Sequence, residues 1–176
     1  NSIPETEPHV EARLVLSEDI DILVSMWHKW FKDVDLAAFP GNTLIEWVTH
    51  NEGIMSYTMT LNNEVVGYLR YDKQNPANVR LFLAKDEKSV TLLLAYLRSK
   101  IDQSQEEHIR LPLHPNAKAV REYLTVPYES KLEAWKAGMI KILDPENEAI
   151  IAYCDEVRAG KRQPGLIIYP PFLEEV

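Results

Sequence analysis

Residues 57–71 of the chain read YTMTLNNEVVGYLRY. In the first third of this stretch, apolar residues alternate with threonines, which is typical of a strand with one buried face. Asn62 and Asn63 tolerate a positive φ, which a tight hairpin turn requires. The stretch therefore predicts a hairpin of two antiparallel strands, 57–61 and 64–71.

Apolar residues alternate again at Val79, Leu81 and Leu83, which predicts a third strand and completes an antiparallel meander. A short strand over 12–16 is predicted before the meander, and a strand over 109–113 after it. Because a long helix precedes the later strand, we expect that strand to lie parallel to the third strand through a right-handed crossover.

Helical spacing of apolar residues, together with capping residues, predicts four helices in the same region. We expect Ser17 to cap the first helix and Ser89 to open the longest, and Thr43 with Glu46 fits a capping box before the second. The predicted helices cover residues 18–32, residues 43 to about 53, residues 89 to about 101, and residues 117–124. This order indicates a mixed α/β fold, with a mostly antiparallel, twisted sheet flanked by helices.

The last third of the chain adds two predicted strands, 128–134 and 137–143, and then a helix and tail. Asp144-Pro145-Glu146 combines an acidic cap, a proline at the first helical position and an acidic first turn, which predicts a helix that ends at Gly160. We expect residues 1–11 to be a loose lead-in, residues 12–143 one domain, and residues 144–176 a C-terminal helix and tail packed on it.

The composition is that of a globular protein and excludes several function classes. The 176 residues are 45% hydrophobic and 26% charged, so a core can form without a disulfide or a metal. The single Cys154 excludes an intramolecular disulfide and a multi-thiolate zinc site, and no histidines have metal-ligand spacing. The net charge of −8 argues against nucleic-acid binding, and no apolar run reaches the roughly 18–20 residues of a membrane span.

The N-terminal sequence leads to two predictions, one about the cellular compartment and one about the length of the natural protein. Its first residues have neither the basic start nor the apolar stretch of a secretory signal, which predicts a cytoplasmic or nuclear protein. Since the chain begins with Asn1 rather than Met, we expect a piece of a longer protein, with a partner domain in that longer chain.

The succession of elements over residues 12–143 resembles the GNAT superfamily of N-acetyltransferases. The most specific local match follows strand 109–113, where members carry Asn-x-x-Ala-x-x-x-Tyr and this chain has Asn116, Ala119 and Tyr123 at the same spacing. The resemblance implies acetyl-CoA as cofactor, with Asn116 near its pantetheine arm and Tyr123 as the general acid for the departing thiolate. A phenol suits that role, because its proton is present at neutral pH. Ala119 and Tyr123 also fit the buried stripe of an ordinary short helix.

The segment that would hold the cofactor departs from the family pattern. Members usually carry Arg/Gln-x-x-Gly-x-Gly/Ala there, whereas residues 83–91 of this chain contain no glycine. Glycines let the backbone approach a pyrophosphate at a helix N-terminus, and Asp86 and Glu87 instead place negative charge there. The alternative is that these acids only complement the helix dipole and that Ser89 only caps. The resemblance assigns cofactor binding to Leu83, Ala84, Lys85, Lys88, Ser89, Val90 and Asn116.

A slot between two strands is the structural condition for this assignment. We expect the strands that end near Ala84 and Leu113 to separate and to leave room for a thioester arm. The backbone of Leu83 and Ala84 would then pair with the pantetheine amides.

Three functions are compatible with these residues. The first is acetyl-CoA-dependent acetyl transfer to a small-molecule or peptide amine, with the acidic surface favouring lysine, a polyamine or a basic peptide. The second is a non-catalytic GNAT-like domain that serves in domain packing or protein–protein interaction. The match at Asn116 and Tyr123 favours the enzyme, and the glycine-free loop favours the non-catalytic domain. The third is an α/β binding module outside the superfamily.

Other side chains carry weaker expectations. Trp27, Trp30 and Phe31 form an aromatic helix face that is expected to be core, with a substrate wall as the alternative. Cys154 is predicted to be a buried, inert thiol. A general base would come from the carboxylates and histidines near predicted strand ends, which are Glu64, Asp72, His108 and His114, and spacing singles out none of them.

Overall fold

A computed structural model describes residues 10–35, 37, 39–102, 108–114, 117–131 and 142–162. The described residues form a mixed α/β fold in which helices flank a four-stranded antiparallel sheet. The strands are β1 (Glu11–Arg13), β2 (Ile54–Leu61), β3 (Glu64–Asp72) and β4 (Val79–Ala84), and the helices are α1 (Ile20–Phe31), α2 (Glu87–Lys100), α3 (Lys118–Tyr123) and α4 (Glu148–Arg158). Single 3-10 turns at Ser17–Asp19 and Leu44–Glu46 complete the regular structure of this part.

The sheet follows the chain, with strand order β1-β2-β3-β4. Asn62 and Asn63 connect β2 to β3 with positive φ angles of 51° and 66°, so the predicted hairpin and its turn are confirmed. The third predicted strand is also confirmed as β4, which pairs with β3 from Val79 to Ala84. The short strand predicted near residue 12 is present as β1, although it ends at Arg13.

α2 covers one face of the sheet, and the segment around Trp47 packs on the other. Because side chains alternate along a strand, Gly67 and Tyr68 of β3 point to opposite faces. On the Gly67 face, α2 approaches so closely that a Cβ at this position would lie 2.6 Å from the Leu93 side chain. On the other face, the Tyr68 hydroxyl donates to the Trp47 carbonyl at 2.8 Å. A side chain at residue 67 would push α2 away from the sheet.

A buried carboxylate ties β1 and β2 to the start of α1. Asp19 is 1% exposed and accepts two hydrogen bonds of 2.7 Å from the Arg13 guanidinium. It also accepts from the Leu16 N–H and the Thr58 hydroxyl, each at 2.9 Å. Burial acts to raise the pKa of Asp19, but these donors outweigh it and hold the pKa below its ordinary value.

The expected helix from residue 43 to about 53 is wrong. The capping box is present, since the Thr43 N–H and hydroxyl both donate to the Glu46 carboxylate, but only one 3-10 turn follows it. Trp47 points into the core and donates its indole N–H to the Gly41 carbonyl. The Asn51 side chain then bonds the Gly53 N–H, and such local side-chain bonds compete with helix formation.

Two predicted helix starts are also wrong, because a different residue caps each helix. The Asp86 carboxylate, rather than Ser89, caps α2, which begins at Glu87. The Asn147 side chain, rather than Asp144, caps α4 by accepting from the Ile150 N–H. The first helix is confirmed near its predicted bounds, although Asp19 rather than Ser17 accepts a backbone hydrogen bond there, from the Leu16 N–H.

The strands predicted after α2 are not formed in the described residues. Residues 108–114 share a single parallel bridge with the sheet, Asn78 to Arg110, so the expected parallel direction is confirmed but the expected ladder is not. Residues 128–131, the described start of the next predicted strand, are not extended into a sheet. Residues 132–141, which hold most of the last two predicted strands, lie outside the described residues, and so does most of the tail.

The described C-terminal part, residues 142–162, contains α4 and the residues that follow it. α4 carries Cys154, which is half-buried, and Arg162 beyond it forms two hydrogen bonds with Asp35 in the loop after α1. No helix within the described ranges is both long and apolar enough to cross a membrane.

Replacing Asp19 by asparagine should destabilise the fold in a pH-dependent way. At pH 7 we expect Asp19→Asn to lower the free energy of unfolding by about 1.5–3 kcal/mol, the usual contribution of hydrogen bonds to a charged group. Because the folded pKa lies below the unfolded one, this stabilisation is present above about pH 4 and is lost as the pH falls through the folded value.

Urea unfolding at several pH values measures this effect. Asp21→Asn is the matched control, because Asp21 is exposed on the first turn of α1, and we expect a change within about 0.5 kcal/mol. A difference between wild type and Asp19→Asn that stays constant from pH 7 to pH 3 would contradict the assignment.

Candidate functional site

The candidate site is the region between Ala84, at the end of β4, and Tyr123, at the end of α3. We call it the β4 cleft. At the start of β4, the Val79 N–H donates to the Arg110 carbonyl at 3.2 Å, and the Arg110 N–H donates to the Ala77 carbonyl at 2.8 Å. Past this bridge, the described residues of the 108–114 segment form no ladder with β4. The two segments are therefore joined at one end only, as the proposed slot requires.

The Trp30 side chain occupies the cleft at the Ala84 end. Its indole N–H donates to the Ala84 carbonyl at 2.7 Å. Its ring meets Phe82 edge-on at a centroid distance of 5.8 Å and Tyr123 at 5.9 Å. Trp30 is 1% exposed, so it fills the space between the end of β4 and α3, beside the Ala84 end of the slot expected between β4 and strand 109–113.

Lys29, the neighbour of Trp30 on α1, closes the same region from outside. Its ammonium group donates to the Lys85 carbonyl at 3.0 Å and lies 4.8 Å from the centre of the Tyr123 ring. A cation above an aromatic face is attracted by the ring quadrupole. Tyr123 itself is half-buried, with Trp30 against one part of its ring and Lys29 above it.

A carboxylate already lies at the N-terminus of α2. The Asp86 side chain accepts from the Ser89 N–H at 2.9 Å and from the Ser89 hydroxyl at 2.7 Å. Burial acts to raise the pKa of Asp86, but the two bonds from Ser89 and the charges of Lys85 and Lys29 outweigh it and leave the pKa low. Asp86 is therefore ionised at neutral pH and uses donors that a phosphate would need.

The structure places several predicted site residues near one another, around the end of β4 and the start of α2. Lys85 and Lys88 are exposed, and Lys85 lies 3.6 Å from the Glu64 carboxylate. Leu83, Ala84, Ser89 and Val90 are buried, and the Ser89 hydroxyl donates to Asp86. Asn116 lies outside the described residues.

The candidate bases are scattered over the sheet. Asp72 binds Arg80 and Asn78 at the end of β3 that is remote from Ala84. Glu64 faces Lys85, and His108 and His114 lie on the segment that leaves the sheet. Within the described ranges, no group of three or more His, Cys, Asp and Glu side chains is placed to hold a metal ion.

Sequence reasoning named Asp86 and Trp30 but missed the contacts through which they shape the site. Asp86 is three residues before Ser89, and an aspartate at this distance before a helical N–H is a common capping pattern, so the sequence contained a signal for it. Trp30 was expected to be core, and no pattern in the sequence identifies Ala84 as the acceptor of its indole N–H.

Comparison with known proteins identifies no relative of this chain. No family model matches the chain, and neither the curated proteins nor the solved structures contain a significant match.

Replacing Trp30 by phenylalanine should measure how much the hydrogen bond from its indole to Ala84 contributes to the free energy of unfolding. Trp30→Phe leaves the buried Ala84 carbonyl without its donor, and we expect a loss of about 1–3 kcal/mol beyond the effect of the smaller ring. Trp27→Phe makes the same change on the same helix, where Trp27 packs against Phe31. Unfolding in urea gives both values, and equal losses in the two variants would show that the indole bond contributes little.

Proposed function

We propose that this chain is a GNAT-like domain that does not catalyse acetyl transfer and serves in domain packing or protein–protein interaction. The observation that carries the proposal is the Trp30 indole on the Ala84 carbonyl, at 2.7 Å. A pantetheine amide would need this backbone edge, and the thioester would need the volume that the Trp30 ring fills.

The charges around α2 support the same conclusion. Asp86 holds its negative charge at the helix N-terminus, where a pyrophosphate would add at least two more. The segment 83–91 has no glycine that would let its backbone approach a phosphate. The residues present therefore do not fit acetyl-CoA, and Lys85 and Lys88 remain as exposed charges.

Calorimetric titration with acetyl-CoA tests the proposal directly. We expect no saturable heat up to millimolar cofactor, because Trp30 and Asp86 occupy the positions that the cofactor would need. A competent GNAT enzyme in the same buffer is the positive control. Saturable binding that weakens in Lys88→Ala and persists in Lys161→Ala would overturn the proposal, since only Lys88 lies on α2.

A second candidate function is acetyl transfer to an amine such as lysine, a polyamine or a basic peptide. One observation favours it: β4 and residues 108–114 are bridged only at Asn78 and Arg110 within the described ranges. Tyr123 would be the general acid by the resemblance, and it is half-buried at the cleft.

An acetyl-transfer assay with spermidine distinguishes the two functions. Under the leading proposal, we expect acetylation by the wild-type chain at the rate of the reaction without protein. Turnover that falls by about 100-fold or more in Tyr123→Phe and persists in Tyr128→Phe, a change at a half-exposed tyrosine, would establish the enzyme. Turnover that is unchanged in Tyr123→Phe would establish an enzyme with a different acid.

A further inference from the structure

The edge of the sheet is only partly covered by β1. β1 pairs with β2 from Glu11 to Arg13, and the last pair is Arg13 with Thr58. Leu14 is 72% exposed, and the Leu16 N–H bonds Asp19 instead of β2. On the side that faces away from β3, the first half of β2, residues 54–57, therefore has no strand beside it in the described structure.

The backbone of Ser56 points to this open edge. The Gly53 carbonyl accepts from the Lys73 N–H at 2.8 Å, so Gly53 and every second residue after it direct their backbone groups toward β3. Ser56 lies between two such residues, and its N–H and C=O therefore point away from β3. No hydrogen bond of these two groups is formed within the described ranges.

A groove of about 530 Å³ lies at this open edge, a volume within the usual range of roughly 300–1,000 Å³ for ligand sites. One wall is formed by Leu14 and Val15 where the chain leaves β1, and the other by the loop 48–52. Ile54 and Lys73 also line the groove, which we call the edge groove. It thus combines apolar surface with a backbone donor and acceptor that have no partner in the described ranges, on Ser56, a residue that is 8% exposed.

We propose that the edge groove binds an extended peptide segment of a partner protein as an added strand beside β2, with an acidic residue of that segment facing Lys73. Strand addition to an open sheet edge supplies backbone hydrogen bonds, and pockets for alternate side chains supply selectivity. Residues 54–57 span about 13 Å, which accommodates three or four residues of the partner.

Charge decides between the possible occupants. Lys73 is exposed, and no ion pair joins it to another residue that the structure describes. Glu52 lies on the loop wall, so a carboxylate is expected on the Lys73 side. A second copy of this chain would bring a net charge of −8 against another of −8, whereas the proposed segment brings a single carboxylate to Lys73. This proposal goes beyond the closed β4 cleft and does not depend on it.

The amide hydrogens of β2 test the open edge in the free protein. Met55 and Tyr57 direct their N–H groups to β3, so the Ser56 amide should exchange with deuterium faster than both. Equal protection of the three amides would show that the edge is already covered and would overturn the proposal.

Peptide binding tests the occupant. The probe is the capped peptide acetyl-Thr-Val-Glu-Val-Thr-Ile-amide, added to nitrogen-15-labelled protein. We expect saturable chemical-shift changes of the Ser56 amide and slower deuterium exchange there. Binding should be lost when the alternate peptide amides that face β2 are N-methylated. N-methylation of the remaining peptide amides should leave binding intact, because those amides point away from β2.

Charge reversal provides the matched control. Lys73→Glu should weaken binding of the glutamate peptide about tenfold, a factor that corresponds to 1.4 kcal/mol. The same change should strengthen binding of the peptide that has lysine in place of glutamate. Lys161→Glu, an exposed change after α4, should affect neither peptide. No shift of Ser56 at millimolar peptide, or shifts confined to residues around Tyr123, would overturn the proposal and would leave the acetyl-CoA result as it stands.

Discussion

The hydrogen bond from the Trp30 indole to the Ala84 carbonyl links the fold of this protein to its proposed function. Ala84 directs its backbone away from β3, since the neighbouring Lys85 N–H donates to the Val66 carbonyl. The segment that could have paired with this edge has already separated after Arg110. A buried carbonyl without a donor costs about 1–3 kcal/mol. The separation that would create a cofactor slot therefore also creates a need for a donor, and Trp30 meets it from within the chain.

The charged groups around this bond also interact with other groups of the same chain. Lys29, the residue before Trp30 on α1, also reaches the end of β4 and donates to the next carbonyl, that of Lys85. Asp86 occupies the start of α2 and lies within the influence of both lysines. Each charge that could have contacted an anionic cofactor thus has a partner within this region or faces solvent. A side chain or charge from outside would have to displace one of these contacts.

The local parts of the fold could be predicted from the sequence, whereas the contacts that decide the site could not. The alternation around Asn62 and Asn63 determines the hairpin, because both the strands and the turn depend on neighbouring residues. The helix expected after Thr43 fails, since burial of Trp47 and a bond from Asn51 outweigh helix propensity. The strand expected over 109–113 fails because a ladder depends on a distant partner. Trp30 and Ala84 are 54 residues apart, and no local pattern specifies that they meet.

Asp19 explains why the opposite edge of the sheet is open while the cleft at β4 is closed. A strand that continued past Arg13 would place Val15 beside Ser56, by the register of the last pair. Instead, the Leu16 N–H turns to the Asp19 carboxylate, which also binds Arg13 and Thr58. This carboxylate therefore stabilises the start of α1 and ends β1 through the same set of bonds. The open backbone of Ser56 is thus a consequence of a buried, well-bonded charge rather than of a loosely packed edge.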